Sequence, residues 1–401
     1  MSSINVEELK SLVSIIDYIK TYYGKKLFIT REDSNKIFLN CPFHEEENSS
    51  LVVYSNGTYK CFGCGEQGDI INFVQKMENV GFQEACEIIA DNIGYKLDYI
   101  KENPIWEEYK DRQDELTRRY WKNLQHNANA LNYLINVRKI SPDMIDKFRL
   151  GFTDQNEYQY RTDINNISNR LVFPILEHKR NKPKCVGMAY RGIYDEEPKY
   201  INDRNQSGQK DQDPKLSGVF IKGNLLYGLA QAYKDIRTRG FAFVTEGYFD
   251  VISMHQSGFT NTVGTMGTSI TDAQMNELKK VTSNIFLLLD NDNAGKNAIN
   301  KYVLSFIKNG FRVFLCDLQS FKDPDLMCRS LEFNTDKVYK FLNDNKHEAL
   351  SYMIYNSIMQ FKEKVSEERY KTYIKLTDIV SNIPNEQVKD FYMKMIEKEL
   401  Y

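Results

Sequence analysis

The sequence predicts an α/β protein, α+β over the whole chain: a small metal-held β-module, a larger α/β core and a short helical tail. Three observations predict it. Two ligand-x2-ligand pairs, Cys41-Pro-Phe-His44 and Cys61-Phe-Gly-Cys64, lie among short strand patterns near the N-terminus. Apolar strand patterns alternate with helical ones between residues 241 and 316, the mark of a parallel sheet with crossover helices. From residue 334 to residue 401 the pattern is helical alone.

Composition sets the bounds. The 401 residues suggest two to four domains, and a hydrophobic fraction of 41% is enough to build cores. No run of about 18 apolar residues occurs, so no helix is expected to span a membrane. The N-terminus lacks the basic and apolar segments of a signal peptide, and a cytoplasmic address is expected. The seven cysteines are odd in number and need no disulfide in that compartment. Cys86, Cys185, Cys316 and Cys328 stand alone in apolar surroundings and read as core residues. Net charge is −2, but residues 170–240 carry 14 Lys+Arg against 8 Asp+Glu, a local excess that suits a polyanion.

Along the chain, residues 4–24 read as one amphipathic helix ending at Gly24. Lys36-Ile-Phe-Leu, Leu51-Val-Val-Tyr and Thr58-Tyr-Lys read as strands, with Asn56-Gly57 as a hairpin turn. Helical period returns over 69–93. Residues 1–100 thus form the expected metal-binding domain, and the charged stretch 101–115, with Pro104 inside it, the expected linker. Residues 116–240 begin with helices to about 148, broken at Ser141-Pro142 where Ser caps the next helix, and continue as a β-leaning region. Residues 241–333 hold the alternating α/β stretch, and 334–401 the helical tail.

Cys41, His44, Cys61 and Cys64 offer the sulfur and nitrogen donors that tetrahedral zinc takes, and two residues between ligands let one tight turn present both. All four positions are filled by protein, so one structural zinc per chain is expected, as in a zinc ribbon. A module this small has little core, and metal adds folding free energy. Gly63 and Gly65 relieve crowding at the second turn. Lys60, Phe62, Tyr59 and Tyr54 place charge and aromatic faces nearby for nucleic acid.

Three acidic motifs mark the α/β stretch: Glu246-Gly-Tyr-Phe-Asp250, Asp290-Asn-Asp292 and Asp323-Pro-Asp325. The first two directly follow predicted strands, the edge where open parallel sheets bind ligands. Clustered carboxylates repel one another, and magnesium, a hard cation completed by phosphates and water, offsets that repulsion. Gly264-Thr-Met-Gly267-Thr is a Gly-rich turn without a lysine, and no Gly-x4-Gly-Lys-Ser/Thr occurs, which excludes a P-loop ATPase.

Together these motifs resemble the bacterial DnaG-type DNA primases, over roughly residues 5–335 and in matching order. The cysteine pairs, with Tyr59-Lys, resemble the CHC2-type zinc-binding domain of that family. Asn169-Arg-Leu-Val-Phe-Pro-Ile175, Gly187-Met-Ala-Tyr-Arg191, Pro198-Lys-Tyr-Ile-Asn202 and Leu225-Leu-Tyr-Gly-Leu229 resemble the RNA-polymerase core and its basic ridge. The acidic motifs resemble those of its TOPRIM sheet. The resemblance implies a template-directed RNA polymerase that makes short primers on single-stranded DNA for replication, by metal-dependent nucleotidyl transfer. It implies Glu246, Asp290 and Asp292 as catalytic magnesium (or manganese) ligands, with Asp323 and Asp325 as further candidates. It implies Arg170, Arg191, Lys199 and Tyr200 as contacts to template or ribonucleoside triphosphate. Asn291 stands where the family often has Gly, with little expected effect. The stretch after the core is shorter than the family's helicase-binding domain, which suggests a phage or plasmid form whose tail is a remnant for docking a replicative helicase. The rivals are a TOPRIM nuclease or topoisomerase and an inactive single-strand-binding scaffold that recruits a helicase. A nuclease leaves the zinc pairs and the ridge unexplained, the tail has no room for a topoisomerase's strand gate, and the intact carboxylates argue against a scaffold.

Overall fold

In the computed structural model the chain falls into two compact units, residues 1–104 and 105–401. The structure describes residues 6–95, 104–155, 167–178, 183–194, 196–203, 219–267, 269–291, 293–361, 366–381, 383 and 386–400.

The first unit opens with α1 (Val6–Ser11), α2 (Ile15–Tyr18) and a π-type turn, Ile19–Tyr23. The single helix expected over 4–24 is interrupted because Ser14 is extended and its hydroxyl accepts from the Asp17 amide, starting a helix of its own. Five strands follow: β1 (Ile29–Asp33), β2 (Lys36–Leu39), β3 (Leu51–Tyr54), β4 (Thr58–Cys61) and β5 (Gln67–Asp69). They pair antiparallel in chain order. Alternation turns Ile37, Leu39, Tyr59 and Cys61 inward and leaves Phe38 and Lys60 outward. Next come α3 (Ile70–Glu78) and α4 (Phe82–Ile93). Asp69 caps α3, and Asn79, left-handed at φ 51°, divides the stretch expected as helical over 69–93. The rings of Tyr23, Phe43 and Tyr59 stand 5.9, 5.6 and 5.3 Å from that of Phe73 at the centre of this core.

The second unit begins within α5 (Pro104–Gln125), one residue after its start, so residues 104–115 of the expected linker are helix. Pro fits the first turn. The charges that suggested a linker are paired with the sheet behind the helix. Lys110 is 4% exposed and meets Glu177 at 3.0 Å, and Asp114 accepts from the Cys185 amide at 3.0 Å. There follow α6 (Ala128–Asn132), a second π-type turn (Tyr133–Val137) and α7 (Pro142–Lys147), which Ser141 caps as expected. A four-stranded antiparallel sheet runs β6 (Gly151–Phe152), β7 (Arg170–Leu176), β8 (Cys185–Gly192), β9 (Tyr200–Asn202). Every residue of β7 and β8 is buried.

After α8 (Leu229–Arg239) the alternating stretch folds as read. It comprises β10 (Ala242–Thr245), α9 (Tyr248–Gln256), β11 (Thr262–Gly264), α10 (Asp272–Lys279), β12 (Asn284–Leu287), α11 (Asn293–Lys308) and β13 (Arg312–Cys316). These four strands are parallel. The short α12 (Pro324–Ser330) and α13 (Thr335–Asp344) lead to β14 (Lys346–Glu348), which adds an antiparallel edge. The polar Lys346-His-Glu carries no strand signal in the sequence. The order is β11-β10-β12-β13-β14. The connection from β10 therefore leaves to one side and that from β12 to the other, which opens a crevice at the carboxyl ends of those two neighbours. The tail is helical as expected: α14 (Ala349–Phe361), α15 (Ser366–Ser381) and α16 (Glu386–Leu400) pack through Leu350, Ile354, Leu376, Val380 and Ile396.

Candidate metal centre and active site

In the first unit the turn after β2 carries Cys41 and His44, and the end of β4 carries Cys61 and Cys64. Pairing of β2 and β4 on either side of β3 brings the two turns together. One ligand atom from each of the four lies within 4.8 Å of the others. Cys41 Sγ stands 3.9 Å from Cys64 Sγ, and Cys61 Sγ 3.9 Å from His44 Nδ1. A tetrahedron with zinc–sulfur bonds of about 2.3 Å has edges of about 3.8 Å, so the donor set fits that ion. His44 Nε2 lies 3.2 Å from Glu46 Oε2, the outer contact that orients a ligating imidazole through Nδ1. Burial raises the Cys61 thiol's pKa, but hydrogen bonds from Ser50 and from the Cys64 and Gly63 amides bring it down to about 6, which favours a thiolate. A side chain at Gly63 would strike His44 Nε2 at 2.6 Å, which explains its glycine.

Around this cluster Phe62 is 64% exposed and Lys60 lies 5.6 Å from its ring centroid. Tyr59 does not belong with them: at 1% exposure it is a core residue, because β4 alternation turns it inward. The four isolated cysteines are buried, as read.

In the second unit Glu246 follows β10 and Asp290 follows β12, and these strands pair directly, Val244 opposite Leu287. Both acids thus follow the carboxyl ends of neighbouring strands, where the connections diverge. The Asp250 carboxylate accepts from the Gly247 amide at 2.9 Å and from the Asp325 amide at 3.1 Å. Burial first, and then the charges of Asp290, Asp323 and Asp325, push its pKa well above the usual carboxylate range. Burial is the larger cause, and the neighbouring carboxylates add to it; oxygen donors of this kind are those a divalent cation takes. Asp250 is the residue the sequence reading passed over. Its signal is its place in the Glu-Gly-Tyr-Phe-Asp motif, in the first turn of α9. Asp292 lies outside the described residues, as does Thr268.

Asp325 differs from the expectation. Its Oδ1 accepts from Ser253 Oγ at 2.6 Å, and its Oδ2 meets Arg138 at 3.1 Å and Arg329 at 3.0 Å. With both oxygens engaged at 1% exposure, it ties helices together and is not placed as a ligand. Asp323 caps α12 through one oxygen and is half-buried. Asn291 also does more than expected: its amide donates to Lys322 O at 2.8 Å and its side chain to Gln319 O, joining the loop after β12 to the loop after β13.

The basic residues divide. Arg170 is 2% exposed and donates to Pro198 O at 2.7 Å, so it supports the loop that carries Lys199 and does not reach out to a template. Arg191 is 7% exposed, donates to Tyr133 Oη, and lies 5.2 Å from the Phe249 ring centroid and 5.6 Å from that of Tyr200. Tyr200 is half-buried against Phe173 and Tyr248, and burial pushes its hydroxyl up to about 12. Lys199 is exposed as a residue, and partial loss of water around its ammonium, then the charges of Arg191, Lys322 and Arg138, hold its pKa below the usual lysine value. Lys322 and Arg138 are therefore part of this cationic group, although no motif marked them. Six basic residues counted in the stretch 170–240 (Lys179, Arg180, Lys182, Arg204, Lys210 and Lys215) lie outside the described residues.

Known proteins match both halves of this description. A CHC2 zinc finger model covers residues 1–104 and a Toprim-like model residues 243–328. The DNA primase of Aquifex aeolicus is 31% identical over 92% of this chain and 74% of its own length.

The chain belongs to the bacterial DnaG-type DNA primases.

A second primase, from Clostridium acetobutylicum, is 28% identical over 98% of this chain and 67% of its own length. Among solved structures, the zinc-binding and RNA polymerase domains of the Aquifex aeolicus primase match with a TM-score of 0.59 at 26% identity, covering 99% of this chain and 96% of that one. The catalytic domain of a DnaG primase bound to single-stranded DNA matches in fold, with a TM-score of 0.59 at 23% identity, covering 72% and 97%. The protein is thus a DNA primase, an RNA-polymerase-type enzyme that synthesises primers, with a zinc ribbon and a TOPRIM sheet. Among its described residues no helix is long and apolar enough to cross a membrane.

Proposed function

We propose that primer synthesis takes place in the crevice beyond β10 and β12, on a single-stranded DNA template and with ribonucleoside triphosphates. The observation that carries this reading is that Glu246 and Asp290 follow two directly paired strands at the point where the sheet connections diverge, with Asp250 nearby, its pKa raised by burial and by the charges of Asp290, Asp323 and Asp325. Glu246, Asp290 and Asp292 would hold magnesium, or manganese in its place, with Asp323 beside them. The ion, when bound, supplies positive charge that positions the triphosphate and offsets the charge on the α-phosphate and the departing pyrophosphate. Lys199, Lys322 and Arg191 neutralise phosphates, and their contacts carry no base information. Arg170 and Tyr200 hold the loop and ring surface on which Lys199 stands. The primer 3′-hydroxyl attacks the α-phosphate of the incoming nucleotide and pyrophosphate leaves; Glu246 would take up the hydroxyl proton or share in holding the ion.

The zinc cluster has no open position and serves structure, one ion per chain. Phe62 and Lys60 beside it offer a stacking face and a charge to template bases, and choice of start site would fall to this module. The relative with bound single-stranded DNA supports the choice of template. The tail helices α14 to α16 are the segment that would meet a replicative helicase. The test is incubation with labelled ribonucleoside triphosphates, magnesium and single-stranded DNA. Short RNA products that vanish in Asp290→Ala are expected. Cleaved DNA without RNA would favour a nuclease and overturn the reading.

A further inference from the structure

Arg138 closes the second π-type turn of the protein, just beyond Val137, and neither the motifs nor the reaction as described above assigns it a task. Its side chain is 19% exposed and its guanidinium carbon lies 3.9 Å from the Phe249 ring centroid. Phe249 sits between Tyr248 and Asp250 on α9, the helix that begins one residue after Glu246-Gly247. The same turn supplies Tyr133, whose hydroxyl accepts from Arg191, and Arg191 also lies against Phe249. One turn of backbone therefore serves both guanidinium groups that flank the first acidic motif. Wide turns of this kind recur at functional sites.

We propose that Arg138 is a positioning residue for the acidic centre, acting through Asp325 on Asp250 and Glu246. The connection is continuous. Arg138 Nη2 meets Asp325 Oδ2 at 3.1 Å. The Asp325 amide donates to Asp250 Oδ1 at 3.1 Å, and Asp250 Oδ2 accepts from the Gly247 amide at 2.9 Å, next to Glu246. Asp323, two residues before Asp325, starts the same helix. Arg329 also pairs with Asp325, but it stands four residues along the same helix, so that pair ties no second element to α12. Arg138 comes from a separate element, so it sets where α12 stands relative to α9. Ser253, from α9, holds the other oxygen at 2.6 Å. Two guanidinium groups around one buried carboxylate also explain how a fourth acid is tolerated beside Asp250, Asp290 and Asp323.

This inference rests on the reading of the carboxylates as a divalent-cation site, and its experiment separates the two. Manganese binding to the full chain is followed by the paramagnetic resonance of free ion, for the parent, Asp290→Ala, Arg138→Met and Arg138→Lys, with a thermal melt of each. Asp290→Ala is expected to abolish one site. Arg138→Met is expected to weaken that site about tenfold, the scale of an outer-contact loss, and to raise the magnesium needed for half-maximal primer synthesis by a similar factor. Arg138→Lys keeps the charge without the fork and should fall between the two. It also serves if Arg138→Met fails to fold. A folded Arg138 variant with parental manganese affinity and magnesium dependence, merely melting earlier, overturns the positioning role while leaving the metal site intact. Parental manganese binding in Asp290→Ala overturns the metal reading, and this inference falls with it.

Discussion

The zinc donors and the acidic centre assemble in opposite ways. Cys41 to Cys64 spans 24 residues, and one antiparallel hairpin system brings the four donors together. Glu246 to Asp325 spans 80 residues, and the acids meet only because β10 and β12 are neighbours although β11 lies between them in the chain. The first centre is a local event coupled to metal binding. The second is a product of sheet topology, and its repulsion is carried by a core that is folded for other reasons. Metal should therefore be a folding partner in one unit and a substrate partner in the other.

The sharpest way to break that contrast is Cys61→Ser. It should cost on the order of 10 kcal/mol of metal-linked folding free energy in the first unit. Metal analysis should fall from one zinc per chain to none, and the first unit should lose its protection from proteolysis while residues 105–401 keep theirs. Zinc retained at the parental level, or both units unfolding together, would remove the contrast. Next in size is Asp290→Ala, expected to lower primer synthesis by about a thousandfold, roughly 4 kcal/mol, with no loss of melting temperature. Synthesis near the parental rate would place the centre elsewhere.

A smaller effect sharpens the comparison through pH. Burial holds the His255 pKa down at about 3. Its folded value lies below the unfolded one of about 6.5, so the stability it contributes is complete above pH 6.5 and is lost as pH falls through that window. The slope from this one group is at most about 1.4 kcal/mol per pH unit. His255→Gln should flatten the acid limb of denaturant unfolding of the sheet at constant zinc content, and an unchanged limb would show that other groups set it. The smallest effect is Lys199→Ala, which should reduce the salt slope of single-strand binding by roughly 0.7 and leave start-site choice alone. Arg170→Ala should instead lower stability, since its guanidinium is spent on the Pro198 carbonyl.

Much of this was legible because the signals were local. Two ligand pairs, strands ending in acids and the strand–helix alternation each lie within a few residues. The depth of Arg170 and Arg191 was not legible: a charged residue on a strand carries no sign of how far it is buried, and only the tertiary structure shows Tyr133, Phe249 and Tyr200 around Arg191. Asp325 was misjudged because its partners, Ser253, Arg138 and Arg329, include two that are remote in sequence. The linker expected at 101–115 was misjudged because pairing of Lys110 and Asp114 with distant strands cannot be read from charge content.

Asn291 carries a consequence for rate. Its two hydrogen bonds to the loop after β13 remove conformational freedom from the backbone beside Asp290 before any nucleotide arrives. Immobilising a residue costs about 1–2 kcal/mol of chain entropy; a glycine there would keep the backbone bond to Lys322 O but lose the side-chain bond to Gln319 O, and so leave part of that cost to be met at each encounter. With Asn291 the loss is met once, during folding. Capture of a nucleotide then starts from a prepared arm, so that Asn291→Gly should slow productive binding more than it slows the step that joins nucleotides.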